Sequence, residues 1–226
     1  MATRILKPSI FVEGPMPVTT DSLLLADFVQ IESGQRILDL GAGSGAIALT
    51  LAARRKVEIV GIDVCIEAIE EASRRWQRDR ALMLGECVFE PGDMRNREFM
   101  EELGLFDQVV CNPPYFKANQ GRLPPDPVRA AARHEVSCTL EDIVRAAGWV
   151  LREGGVFSFV HIPPRLPEAF GLLSAFGFQL SAIQPIYTRK CQDAELALIQ
   201  AVKGENASLA MRILPPRGLR ALCDGR

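Results

Sequence analysis

The sequence predicts a doubly wound α/β fold, with a mostly parallel sheet that ends in an antiparallel hairpin. Three observations carry this. Short apolar strands alternate with helical stretches from residue 36 to residue 176. The first strand, Arg36-Ile37-Leu38-Asp39-Leu40, runs directly into the glycine turn Gly41-Ala42-Gly43-Ser44-Gly45 and then a helix from Ala46. Two strand-like runs, 177–188 and 194–202, follow one another with no helix between them. Alternation of strand and helix builds parallel units, whereas consecutive strands fold back antiparallel.

Composition bounds the reading. The 226 residues are 48% hydrophobic and 24% charged, an ordinary globular balance. The length suits a single domain over 1–226, with 1–17 as an N-terminal extension and 204–226 as a basic C-terminal tail. No apolar run of about 18 residues occurs, so no membrane span is expected, and Met1–Pro8 lacks the apolar core of a signal peptide. Six scattered cysteines without a C-x-x-C pair suit a cytoplasmic protein with buried thiols. With only two histidines besides, no metal site is expected. The net charge of −2 hides local basic stretches. Lys117, Arg122, Arg129 and Arg133 face only Asp126, and the tail carries Lys203, Arg212, Arg217, Arg220 and Arg226 against Glu205 and Asp224. Such stretches grip nucleic acid or merely decorate a solvated surface.

Each element has a local reason. Thr20 or Asp21 reads as the N-cap of a helix over Leu23–Val29, a first helix or a lid over a ligand site. The glycines after Leu40 permit a sharp turn and let a ligand approach main-chain N–H groups at the next helix. Their spacing is G-x-G-x-G, not the G-x-G-x-x-G of dinucleotide sites. Val57–Asp63 is a second strand, and its terminal Asp63 lies where nucleotide-binding α/β folds place the acid that holds ribose hydroxyls. Asp63 also suits an N-cap for the helix Ile66–Arg80, whose arginines Arg74, Arg75, Arg78 and Arg80 read as a solvated face. Ala81–Phe89 reads as the third strand. Asp93 follows it, placed to accept from an adenine amino group or to cap a short helix over Arg95–Leu103.

Phe106–Cys111 is the fourth strand, stopped by Asn112-Pro113-Pro114-Tyr115. Asn112 offers a side-chain carbonyl, Pro113 a main-chain carbonyl with no N–H, and Tyr115 a flat ring. Two acceptors and an aromatic face suit a planar amine: accepting both hydrogens favours a pyramidal nitrogen with its lone pair aimed at an electrophile. Phe116–His134 is long and lacks periodicity, and reads as a functional or mobile loop. Thr139 caps a helix to about Leu151, Arg152–Gly155 ends it, Val156–His161 is a strand, and Pro163 or Pro164 opens a helix to about Phe176.

The ensemble resembles the seven-stranded, Rossmann-like class I methyltransferases that use S-adenosylmethionine. Asp39–Gly45 resembles their first motif and Asn112–Tyr115 the motif of their amino-group methylating branch. More narrowly, Thr20-Asp21, Asn112-Pro113-Pro114-Tyr115-Phe116, Ala132-Arg133-His134-Glu135 and Thr139-Leu140-Glu141-Asp142 are similar to the bacterial tRNA(Val) adenine methyltransferase family. The resemblance implies methylation of the exocyclic amine of an adenine beside the anticodon, with a tRNA as partner. It implies S-adenosylmethionine held by Thr20, Asp21, Asp39, Gly41, Ala42, Gly43, Gly45, Asp63, Asp93 and Asn112. Asn112, Pro113, Pro114 and Tyr115 form the implied catalytic set, and Lys117, Arg122, Arg129 and Arg133 the RNA contacts. A protein glutamine methyltransferase uses the same tetrapeptide, since a carboxamide is also a planar amine. A non-catalytic S-adenosylmethionine- or RNA-binding module is the third alternative.

Overall fold

A computed structural model describes residues 18–115, 138–187, 193–204 and 211–218. In chain order the elements are α1 (Thr20–Phe28), β1 (Arg36–Leu40), α2 (Ala46–Arg54), β2 (Glu58–Asp63), α3 (Ile66–Asp79), β3 (Glu86–Pro91), α4 (Arg97–Glu102) and β4 (Phe106–Cys111). Then follow α5 (Leu140–Val150), β5 (Leu151–His161), α6 (Leu166–Ala175), β6 (Phe178–Tyr187), β7 (Leu196–Lys203), β8 (Arg212–Ile213) and β9 (Arg217–Gly218). The strands form one sheet in the order β3-β2-β1-β4-β5-β7-β6-β8, with β9 also paired to β6. β1 to β5 are parallel, and β7 runs antiparallel to both β5 and β6. The doubly wound sheet with its terminal hairpin is therefore present.

The strands alternate their side chains between two cores. Leu38, Leu40, Val109, Phe157 and Phe159 pack with Met100, Ile143, Val144, Ala147 and Leu173, so α4, α5 and α6 cover one face. Ile37, Ile59, Val110, Val160 and Leu198 pack with Leu24, Leu25, Phe28, Leu49, Leu51 and Trp76, so α1, α2 and α3 cover the other. Fully burying one such large apolar side chain contributes about 1.5–3 kcal/mol. α5 begins as expected, with a capping box in which Thr139 accepts from Asp142 N–H and the Asp142 carboxylate accepts from Thr139 N–H.

Several local expectations need correction. The first helix is capped at Thr19, so Thr20 and Asp21 lie in its first turn. Residues 81–89 are not one strand: Arg80–Leu82 is a 3₁₀ turn and β3 starts at Glu86. The reason is Gly85, where a Cβ would lie 2.6 Å from the Val57 carbonyl, so the chain is turning against β2 there. Arg75 is not on a solvated face but 1% exposed, because it continues the buried stripe of Ala68, Glu71 and Ala72 on α3. The segment 152–155 is drawn into β5 as an irregularity opposite Phe106 and Gln108. The turn after His161 is 3₁₀ over Pro163–Arg165, and α6 begins only at Leu166. The tail adds two short edge strands parallel to β6, which its charge did not announce.

Candidate active site

Register brings the site together before any side chain is considered. Leu40 pairs with Ile62 on β2 and with Cys111 on β4. Gly41, Asp63 and Asn112 therefore leave three neighbouring strands at one level. From β1 the chain winds toward β2 and β3, and from β4 it winds the other way toward β5. Such a switch point opens a crevice at the carboxyl ends of the strands, where open α/β sheets bind ligands.

The β1–β2 side is built from main chain. Gly41, Gly43 and Gly45 take φ of 69°, 52° and 78°, values that disfavour any residue with a Cβ. A Cβ on Gly41 or Gly43 would meet nothing within 4 Å, so both face open space, whereas one on Gly45 would lie 3.0 Å from the Phe89 ring. Gly41 and Ala42 donate to the Ile62 carbonyl, each at 2.9 Å. Asp63 accepts from Gly43 N–H at 3.0 Å through Oδ2 and from Cys65 N–H at 2.9 Å through Oδ1. It thus pins the glycine turn and caps the approach to α3 at once, while each oxygen keeps a free lone pair. Beside it the apolar Val64 is 51% exposed.

Two buried groups support this side. Gly45 has no side chain with which to cap α2, and Asp39 supplies the missing acceptor from β1 by accepting Ala48 N–H at 3.1 Å. Asp39 is wholly buried and its Oδ1 has no partner among the described residues. Burial pushes its pKa up to about 7, opposed by the Ala48 N–H and reinforced by Asp63. Arg75 donates to Ser44 Oγ at 3.0 Å and to Glu71 Oε1 at 2.8 Å, tying α3 to the glycine turn. Burial pushes the Glu71 carboxyl up, but Arg75 and Arg74 outweigh it and hold it below its usual range.

The β4 side is built from side chains. The Asn112 amide nitrogen lies 2.9 Å from Ser22 Oγ and 3.4 Å from Thr19 Oγ1, and those hydroxyls lie 2.9 Å from each other. Asn112 Oδ1 lies 2.8 Å from the Tyr115 hydroxyl, which also bonds Asp21. The first turn of α1 thus closes on the tetrapeptide. Tyr115 is half-buried, and burial, then the Asp21 charge, pushes its phenol well above the usual range. Its ring lies 5.7 Å from the His161 ring at a 56° tilt. Arg165, itself paired to Glu168 at 2.9 and 3.0 Å, reaches the Tyr115 carbonyl at 3.4 Å.

His161 carries one further constraint. Its Nδ1 accepts from Ile162 N–H at 2.9 Å, so the neutral ring carries its proton on Nε2. That atom is buried and has no partner among the described residues. Burial, then the nearby Arg165 charge, lowers the His161 pKa to about 4, with Glu168 opposing.

Asp93 lies at the same end of the sheet, directly after Gly92, whose N–H donates to the Asp63 carbonyl at 3.0 Å. Asp93 bonds Arg95 N–H at 2.9 Å and pairs with its guanidinium at 2.6 Å, while Asn96 rather than Asp93 caps α4. Thr20 is exposed and Ala42 is buried. Phe116, Lys117, Arg122, Arg129, Arg133 and the segment Ala132–Glu135 lie outside the described residues. Of the tail cations, Lys203 bonds the carbonyls of Gly148 and Leu151 at 2.6 and 2.7 Å, and Arg217 pairs with Asp27 on α1. Sequence reasoning missed Thr19, Ser22, Val64, His161 and Arg165. Only Val64, an apolar residue directly after a strand-terminal acid, carried a local signal.

Comparison with known proteins agrees with this geometry. Residues 5–178 match the family described as methyltransferase small domain. A protein of Shewanella sediminis named tRNA1(Val) (adenine(37)-N6)-methyltransferase is 30% identical over 166 residues, 71% of this chain. The chain spans 65% of that relative's own length. A predicted O-methyltransferase of Agrobacterium tumefaciens is similar in structure with a TM-score of 0.66 and 26% identity, over 88% of this chain and 86% of that one. The 16S rRNA N2 G1207 methyltransferase of T. thermophilus, solved with AdoMet and guanosine, gives a TM-score of 0.56 and 26% identity, over 84% of this chain and 44% of that one. The family match covers well over half of the sequence, and the chain belongs to the methyltransferase small domain family.

Proposed function

We propose that this chain transfers a methyl group from S-adenosylmethionine to the exocyclic amine of an adenine beside the anticodon of a tRNA; relatives about 30% identical are named tRNA1(Val) (adenine(37)-N6)-methyltransferase. The observation that carries the reading is the register that sets Asn112 level with Gly41 and Asp63 across adjacent strands. A cofactor bound on the glycine turn is then adjacent to an amine held by the tetrapeptide.

The residues fit the cofactor. Gly41 and Gly43 leave open space where a Cβ would lie. Asp63 keeps lone pairs for ribose hydroxyls, and exposed Val64 offers an apolar face to a purine. The start of α2 favours the methionine carboxylate. S-adenosylmethionine, when bound, supplies an electrophilic methyl group. The chain's own task is to orient the acceptor: Asn112 Oδ1 and the Pro113 carbonyl accept the hydrogens of the amine, and Tyr115 offers its ring to the base. Asp93 joins the cofactor set in this reading if its carboxylate exchanges Arg95 for an adenine amino group.

A paired base cannot present its amine to strand ends, so the target must be unpaired or flipped out. Lys117, Arg122, Arg129 and Arg133 supply the phosphate contacts in this reading, and a tRNA substrate places the work in the cytoplasm. The test is to incubate the protein with methyl-labelled S-adenosylmethionine and, separately, total tRNA, DNA and total protein. Label in tRNA adenine is the expected result; label in glutamine of the protein fraction instead overturns it. Tighter detail comes from filter binding of tRNA at several salt concentrations, where replacing Arg129 and Arg133 should flatten the slope.

A further inference from the structure

The cluster around Asn112 contains a conflict in its protons, and resolving it gives Asp21 a role. The Tyr115 hydroxyl contacts two acceptors, the Asp21 carboxylate and the atom placed as Asn112 Oδ1, 2.8 Å away. It has one hydrogen. A carboxylate has none to give, so the Tyr115 hydroxyl donates to Asp21. The phenolic oxygen is then left to accept, and what faces it from Asn112 must donate. The nitrogen and oxygen of an amide are nearly isosteric, and their assignment follows from the hydrogen-bond network. Turned over, Asn112 gives a hydrogen to Tyr115 and presents its oxygen to Ser22 and Thr19, hydroxyls that donate as readily as they accept. Every group then has a complementary partner. With a proton on Asp21 the whole chain of bonds reverses: Asp21 donates to Tyr115, Tyr115 donates to Asn112 Oδ1, and the amide nitrogen donates to Ser22.

The two orientations are not equivalent for chemistry. The acceptor of the substrate amine is the oxygen of Asn112, and a turn of the amide exchanges it for a donor that repels the same amine. A residue that fixes the amide decides how much of the enzyme is ready to react. Asp21 is 94 residues from Tyr115 in sequence and is linked to Asn112 through the Tyr115 hydroxyl. We propose that Asp21 is a positioning residue rather than a cofactor contact: by accepting the hydrogen bond of the Tyr115 hydroxyl it holds the Asn112 amide in one orientation, with its nitrogen on Tyr115 and its oxygen toward Ser22 and Thr19. This rests on the methyl-transfer reading above for its consequence, but not for its geometry.

Asp21→Asn tests it, because an amide of the same shape both donates and accepts and so removes the bias. Saturating turnover on tRNA should fall about twofold, because equal populations of the two amide orientations leave half of the enzyme ready to react. S-adenosylmethionine affinity by calorimetry should stay within twofold of wild type. In a Tyr115→Phe background, where the link is already cut, adding Asp21→Asn should cause no further loss of turnover. A fourth measurement needs no substrate: in protein labelled with ¹⁵N-asparagine, the Asn112 side-chain NH₂ should show contacts to the Tyr115 ring in wild type and to both the Tyr115 ring and the Ser22 methylene in Asp21→Asn. A fall in cofactor affinity with turnover intact makes Asp21 a cofactor contact and overturns the proposal. So does an Asn112 signal that Asp21→Asn leaves unmoved, or an equal loss of turnover with and without the Tyr115 hydroxyl. If tRNA takes up no label while the Asn112 signal moves as stated, the methylation reading fails and the positioning role stands.

Discussion

On the β1–β2 side the crevice is walled by peptide groups: three glycines at positive φ, with Gly43 N–H fixed by Asp63 and Ala48 N–H fixed by Asp39. On the β4 side it is walled by side chains: Asn112, Tyr115, Asp21, Ser22 and Thr19 bonded to one another across α1 and β4. The first is held by backbone hydrogen bonds to the Asp63 and Asp39 carboxylates and to the Ile62 carbonyl. The second has two consistent proton arrangements. A wall of the first kind suits a cofactor that is the same at every turnover. The second suits a wall that must release its own bonds to accept a substrate amine.

The sharpest way to separate the two is Asn112→Ala. Losing the acceptor should lower kcat by about 10²–10³-fold, the range for removing one preorganised polar group, while calorimetry shows S-adenosylmethionine binding nearly unchanged. Equal damage to both quantities would merge the two walls into one.

Stability against pH should also split them, with opposite signs. Asp39 holds its proton to about pH 7 in the fold and to 3.8 when unfolded. Between those values the folded state binds more protons, so its contribution falls as pH rises, by roughly 4 kcal/mol across the window. His161 takes its proton at about 4 folded and 6.5 unfolded. There the unfolded state binds more protons, so stability falls as pH drops, by roughly 3 kcal/mol. Urea unfolding from pH 4 to pH 7 should therefore gain an upward slope in Asp39→Asn and a downward one in His161→Gln. Parallel slopes in both variants would contradict the assignment.

Asp63→Ala comes next in size. It should weaken S-adenosylmethionine by about 1.5–3 kcal/mol, through the loss of charge-assisted bonds. Because Gly43 and Cys65 N–H lose their acceptor too, the melting temperature should drop with it. An unchanged Kd would remove Asp63 from the cofactor wall. The smallest effect serves as a control outside both walls: Thr139→Ala, which breaks the capping box of α5, should cost about 1 kcal/mol of stability, with kcat and Kd unmoved.

Much of this was legible locally. A glycine turn after an apolar strand fixes a sharp bend wherever it occurs, Pro113 and Pro114 end a strand in any context, and Thr139 with Asp142 caps a helix by itself. The mostly parallel sheet and its terminal antiparallel hairpin followed from alternation. These are short-range effects of backbone freedom, missing N–H groups and periodicity, and they sufficed to set Gly41, Asp63 and Asn112 at strand ends. Tertiary structure decided the rest. Arg75 has the composition of a surface residue, and it is buried because α3 turns that stripe toward Ser44, 31 positions away. Asp39 caps α2 from within β1, across the whole glycine turn, His161 is neutral because of what surrounds it, and Arg217 pairs with Asp27 across 190 residues. Whether the Tyr115 hydroxyl donates to Asp21 or to Asn112 depends on which helix lies over β4, and no pattern within either stretch encodes that, because a hydrogen bond is specified by both of its partners and only the folded chain brings them together.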